Sequence, residues 1–72
     1  MTFCRVLKKA HTDKGFTIEA QELTEKFSAL PYYEIQVYRE DNDGFGIVYE
    51  TAKTAATTWR RKFKQLFAEY SI

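Results

Sequence analysis

The last third of the chain, residues 51–72, has the pattern of one long amphipathic helix, which constrains the fold more than any other segment. Its apolar side chains recur at helical spacing and fall in one stripe about 100° wide. The stripe comprises Ala52, Ala55, Ala56, Trp59, Phe63, Leu66 and Tyr70. Such a stripe is typical of a helix packed on a core. We therefore expect this helix to cover a sheet, with Trp59 as a buried anchor at the centre of the stripe.

The length of the chain predicts one small domain, residues 1–72, that needs an apolar core. Ordering each residue costs roughly 1.5 kcal/mol of conformational entropy, which small domains offset with difficulty. Six Phe, five Tyr and one Trp supply much of the required area, because each ring can bury roughly 150–250 Å². Burial in a homo-oligomer is the alternative source of area, and the sequence leaves it open.

Three segments have the alternation of β-strands: residues 2–10, 32–40 and 45–51. A turn at residues 11–15 follows the first, and the hairpin loop at residues 41–44 joins the other two. One face of this hairpin is predicted to be core and comprises Tyr33, Ile35, Val37, Phe45, Ile47 and Tyr49. The other face is predicted to be mostly solvated and comprises Tyr32, Glu34, Gln36, Tyr38, Gly46, Val48 and Glu50.

The segment between the first turn and Pro31 fits two structures. Apolar residues from Phe16 to Leu30 recur at spacings typical of a helix, and Pro31 would end it, which favours a helix over residues 18–30. Residues 16–20 also alternate like a strand, so a short strand before a shorter helix is the alternative. With the helix, the order is β-α-β-β-α. This is an α+β domain with a three-stranded, mostly antiparallel sheet and two helices on one face.

The chain lacks the residue patterns of an enzyme, a metal protein or a membrane protein. His11 and Asp13 lie close in sequence, but a turn explains them better than catalysis, since no nucleophile or second partner accompanies them. A calcium loop beginning at Asp41 would need Glu at its twelfth position, where Ala52 stands. The lone Cys4 excludes an intrachain disulfide. No segment is apolar for long enough to be a signal peptide or membrane span, so we expect a cytoplasmic protein without cofactor or metal.

Two surfaces hold the candidate binding residues. Lys53, Arg60, Arg61 and Lys64 lie on the outer side of the predicted helix, where such a row can follow a phosphate backbone or dock a protein. An ordinary solvated helix face is the alternative, and the sequence favours it slightly. Tyr32 and Tyr38 lie on the solvated sheet face, where they suit base stacking, protein contact or cross-strand packing, of which the last is favoured.

Two local patterns resemble known nucleic-acid-binding domains. Residues 52–56 after the hairpin resemble the last helix of double-stranded-RNA-binding domains, but the paired lysines of those domains are absent. The hairpin followed by a helix is also similar to the arm-site DNA-binding domains of tyrosine recombinases. Each resemblance covers about a third of the chain with common residue types, so no residue roles carry over.

The sequence therefore favours a non-enzymatic interaction module, a small regulatory or accessory protein that binds another protein. Its net charge of +1 is low for a dedicated nucleic-acid-binding domain, and its acidic and basic residues occupy different segments. The alternative is an accessory domain that binds DNA or RNA through the basic face of the last helix.

Overall fold

The computed structural model describes residues 2–26, 30–40 and 46–72. Within these residues, four strands form one antiparallel sheet in the order β1-β2-β3-β4, and a single helix follows them. The strands are β1 (Thr2–His11), β2 (Thr17–Glu25), β3 (Tyr32–Glu40) and β4 (Gly46–Thr54), and the helix is α1 (Trp59–Glu69). The α+β class is confirmed, whereas the predicted three-stranded sheet with two helices is wrong.

The predicted helix over residues 18–30 is instead the strand β2, which runs without interruption from Thr17 to Glu25. Ile18 lies opposite Val37 and Ala20 lies opposite Ile35, and all four side chains are fully buried. Pairing therefore decided this segment, because neighbouring strands on both sides satisfy its backbone while every second residue from Ile18 to Ala20 enters the core. The alternative prediction, a short strand at residues 16–20 followed by a shorter helix, identified the start of β2. Its helix is wrong, because the strand continues to Glu25. Residues 27–29 lie outside the described part of the chain.

The turn between β1 and β2 lies where the sequence predicts it. Gly15 has a φ of +89°, a left-handed conformation that glycine adopts at little cost. The Thr12 amide donates to the Phe16 carbonyl at 2.7 Å, and the Phe16 amide donates to Thr12 Oγ1 at 3.1 Å. This closed turn sends the chain straight back along β1, which makes residues 2–25 a hairpin.

The C-terminal helix is about half as long as the sequence predicts, because β4 continues to Thr54 and α1 begins only at Trp59. Ala52 is part of the strand and lies opposite Ile35. Residues 52–54, which resembled the start of an RNA-binding helix, are thus extended rather than helical. Ala55 and Ala56 precede α1 and are exposed, so their predicted place in the buried stripe is wrong. From Trp59 onward the stripe is confirmed, since Trp59, Phe63 and Leu66 are buried and Tyr70 packs against the core.

A bulge changes which residues of β4 reach the core. Val37 lies opposite Glu50, whereas the next residue of β3, Tyr38, lies opposite Val48. Tyr49 is therefore the extra residue of the bulge and has no pairing partner on β3. Ile47 and Tyr49, both predicted as core, are 53% and 49% exposed. Glu50, predicted as solvated, lies opposite the buried Val37. The remaining predicted core residue of this strand, Phe45, and the loop 41–44 lie outside the described residues.

The helix packs against the two central strands, β2 and β3. A helix is about 10 Å wide and neighbouring strands are about 4.8 Å apart, so one helix covers about two strands. The core beneath it comprises Ile18, Ala20, Ile35, Val37, Trp59, Phe63 and Leu66. The outer strands β1 and β4 consequently extend beyond the helix, and a groove runs along each side of it.

Candidate functional site

The groove on the β1 side of the helix is lined by four basic side chains. It is an open depression of about 450 Å³ bordered by Lys8, Arg60, Arg61 and Lys64, and we call it the basic groove. Lys8 comes from β1, where it lies opposite the buried Ala20 and so points to the helix side of the sheet. Two elements far apart in sequence thus bring their cations to one place.

An apolar pocket adjoins the basic groove. It has a volume of about 170 Å³ and is lined by Ala10, Phe63 and Phe67 together with Lys8 and Lys64. Because Lys8 and Lys64 border both depressions, the two lie side by side, and we call them together the channel, with a basic end and an apolar end. We call the part lined by Ala10, Phe63 and Phe67 the apolar pocket.

Two of the four cations are held over aromatic rings. Lys8 Nζ lies 4.9 Å from the ring centre of Phe63, and Arg60 Cζ lies 4.7 Å from that of Trp59. Both rings are buried, so the cations rest on fixed parts of the core. A cation over an aromatic face gains about 0.5–1 kcal/mol at an exposed site. These contacts hold the positive charges at the wall of the groove.

No acidic residue of the described part lines the basic groove. Two ion pairs of the described residues, Arg5 with Glu22 at 3.2 Å and Lys9 with Glu19 at 3.8 Å, lie elsewhere on the sheet. The first turn of α1 also contains no acid, although the positive end of the helix dipole favours anions there and disfavours cations. The groove is therefore a site of uncompensated positive charge.

Lys53 does not lie in a row with the helical cations as the sequence suggested. It belongs to β4, lies opposite Glu34, and its Nζ lies 5.7 Å from the ring centre of Tyr32. It does border a separate depression of about 330 Å³ on the β4 side of the helix, which Arg61 and Lys62 also line. Its ammonium group nevertheless lies with Tyr32 on the sheet face that the helix does not cover, so Lys53 is outside the basic groove.

Tyr32 and Tyr38 lie on the sheet face that the helix does not cover, as predicted, and both are half-buried. Lys9 Nζ lies 5.9 Å from the ring centre of Tyr38, whose hydroxyl donates to Glu19 Oε1 at 3.3 Å. The pKa of Tyr32 is raised by desolvation and, to a smaller extent, by nearby acids such as Glu25. The two rings are therefore engaged by side chains of the same face, which leaves less free ring surface for stacking.

The other candidate chemistry is limited. Among residues 2–26, 30–40 and 46–72, no group of three His, Cys, Asp or Glu side chains is arranged to hold a metal ion. His11 lies at the end of β1, with Nδ1 at 2.9 Å from Thr17 Oγ1. Cys4 is an exposed free cysteine. Within the described part of the chain, no helix has the length and apolar character needed to cross a membrane.

Comparison of the chain with protein-family models, curated proteins and solved structures finds no match. The site is therefore defined by its geometry alone. Sequence reasoning identified Arg60, Arg61 and Lys64 but missed Lys8 and Phe67. Phe67 follows Phe63 by one helical turn, which is a readable signal. No local sequence signal identifies Lys8, since its position beside the helix depends on the pairing of β1 with β2.

Proposed function

We propose that this protein is a non-enzymatic interaction module that docks an acidic surface of another protein in the basic groove. The observation that supports the proposal is the convergence of Lys8, Arg60, Arg61 and Lys64 on one depression that no acid of the described residues enters. An unpaired cluster of this kind attracts an anionic partner and fixes its orientation. It also opposes the helix dipole, and a docked carboxylate would relieve that repulsion.

A protein partner fits the dimensions of the groove better than a nucleic acid does. Arg60 and Lys64 are about 6 Å apart along the helix axis, so the groove offers cations to a short run of anions. The adjoining apolar pocket suits an apolar side chain, which a phosphate backbone lacks. The low net charge of +1 gives little long-range attraction for a polyanion.

Nucleic acid is the second candidate, supported by the spread of positive charge around the start of α1. Lys62 extends this charge to the β4 side of the helix through the depression that it shares with Arg61. If several phosphates bind here, affinity should fall steeply as salt is raised, because each neutralised phosphate releases counterions. Electrophoretic mobility shifts with DNA and RNA at two salt concentrations measure this directly.

Affinity purification from the native host, followed by mass spectrometry, tests the main proposal. The variant Arg60→Glu/Arg61→Glu reverses the groove, and Lys14→Glu/Lys26→Glu makes the same change in net charge at exposed sites outside it. We expect the wild type and the second variant to capture the same protein after nuclease treatment, and the first variant to lose it. Capture that survives reversal of Arg60 and Arg61, or that disappears with nuclease, contradicts the proposal.

A further inference from the structure

We propose that the occupant of the channel is a short acidic segment of the partner that carries one apolar anchor side chain. Its carboxylates lie against Arg60 and Arg61, and its anchor enters the apolar pocket formed by Ala10, Phe63 and Phe67. This inference rests on the proposed function and specifies the chemistry of the partner.

The shared border of the two depressions supports this pairing of an acid with an apolar group. The basic groove and the apolar pocket share Lys8 and Lys64, so a ligand that occupies one end passes these two ammonium groups to reach the other. A simple anion such as phosphate would leave the apolar end empty. An uncharged peptide would leave the cations unpaired.

The spacing along the helix sets the spacing within the segment. Phe67 follows Arg60 by two helical turns, which is about 10 Å along the axis. An extended peptide advances about 3.3 Å per residue, so its acid and its anchor should be separated by about three positions. The segment should therefore contain an acidic residue and, about three positions before or after it, Leu, Ile or Met.

The apolar pocket suits an aliphatic anchor better than a nucleobase. Phe63 is only 3% exposed, and Lys8 already lies over its ring, so that ring offers no free face for stacking. Ala10 and Phe67 are half-buried and complete the wall. An aliphatic side chain needs only close contact with these surfaces, whereas a base needs an open aromatic face.

Two capped synthetic peptides serve as probes: Glu-Glu-Gly-Gly-Leu, and its analogue with Gly in place of Leu. Amide chemical shifts of the ¹⁵N-labelled protein, followed during titration, report both affinity and location. We expect the Leu peptide to bind about tenfold more tightly, which corresponds to partial burial of one Leu side chain. Shifts at Arg60 and Arg61 are expected with both peptides, and shifts at Ala10 and Phe67 with the Leu peptide only.

Variants separate the two ends of the channel. Phe67→Ala should remove the preference for Leu and keep the weaker binding of both peptides. Ala10→Leu, which fills the pocket from β1, should do the same if Phe67→Ala proves too unstable. Arg60→Glu/Arg61→Glu should abolish binding of both peptides, and Lys14→Glu/Lys26→Glu should change neither.

The remaining outcomes overturn the inference, and they distinguish it from the proposed function. Equal binding of the two peptides at Arg60 and Arg61 overturns the anchor, while acidic docking stands. Groove shifts that depend on the concentration of the protein alone identify a second copy as the occupant. Absence of binding by either peptide at millimolar concentration overturns the inference. If neither peptide binds and a single-stranded oligonucleotide shifts the groove amides instead, the proposed function fails together with this inference.

Discussion

The ammonium group of Lys8 lies 4.9 Å from the centre of the Phe63 ring and joins the edge strand β1 to the helix α1. The ring is buried in the core, while the lysine is exposed at the boundary between the basic groove and the apolar pocket. A side chain of the folded core thus fixes the position of a charge at the surface. The contact explains why the channel has two chemically different ends that meet at this residue.

Replacement of this lysine should affect binding more than stability. In Lys8→Met the unbranched apolar chain still covers Phe63, so the loss is the cation–π contribution of about 0.5–1 kcal/mol. Affinity for the Glu-Glu-Gly-Gly-Leu peptide should nevertheless fall severalfold, because one of four groove cations is gone. Urea unfolding and peptide titration measure the two effects, and an equal loss of affinity in Lys14→Met would contradict a local role.

Arg61→Glu should make the protein more stable while it weakens docking. Arg61 lies in the first turn of α1, which contains no acid, and an acid there interacts favourably with the helix dipole. We expect a gain of about 0.3–1 kcal/mol in the free energy of unfolding at low ionic strength, reduced by added salt.

The matched control for this gain is Lys64→Glu. It makes the same change in charge beyond the first turn, where the dipole effect is weaker, so its gain should be smaller. Urea unfolding of both variants at two salt concentrations provides the test. Destabilisation by Arg61→Glu would show that the cations at the start of the helix are not a source of repulsion.

Leu66→Ala should be strongly destabilising, because Leu66 is fully buried between the helix and the central strands. Loss of a buried leucine costs about 2–5 kcal/mol, which is a large part of the stability of a small domain. Ile72 is 94% exposed, and Ile72→Ala should change stability by less than about 0.5 kcal/mol. The denaturant midpoints of the two variants measure the contrast.

The contact between Tyr33 and Glu22 predicts a loss of stability at alkaline pH. The Tyr33 hydroxyl donates to Glu22 Oε2 at 3.0 Å, and this bond, with desolvation, raises the pKa of Tyr33 above its ordinary value of 10.0. The folded state therefore holds the proton more tightly than the unfolded state does. This contribution is fully present below about pH 10 and is lost as pH rises through the raised pKa.

Urea unfolding at about pH 9 and about pH 11 tests this contribution. Tyr33→Phe should lose less stability between the two values than the wild type, because it lacks the titrating group. The pKa of Tyr70 is also raised, by desolvation and by its bond to Glu50. Because Tyr70 is present in both proteins, both should still lose some stability between the two pH values. Identical declines in wild type and variant would contradict the role of the Tyr33 bond. As an independent check, Glu22→Gln should move the pKa of Tyr33 toward 10.0, which phenolate absorbance detects.

Several features of this protein followed from the sequence by itself. Strand β3, the turn before β2 and the burial of Trp59, Phe63 and Leu66 are all local patterns. Each depends on alternation, helical spacing or glycine chemistry within a few residues. The cations Arg60, Arg61 and Lys64 were also readable, since they share one short helical segment.

The tertiary structure alone decided the identity of β2 and the point where α1 begins. Both segments contain apolar residues at spacings that suit a helix as well as a strand, and pairing with β3 settled each in favour of the strand. Ala20 and Ala52 show the cause: both lie opposite Ile35, one on each neighbouring strand. The pairing of β1 with β2 likewise placed Lys8 beside the helix, more than fifty residues away in sequence. Strand register is a contact between distant segments, so no local pattern contains it.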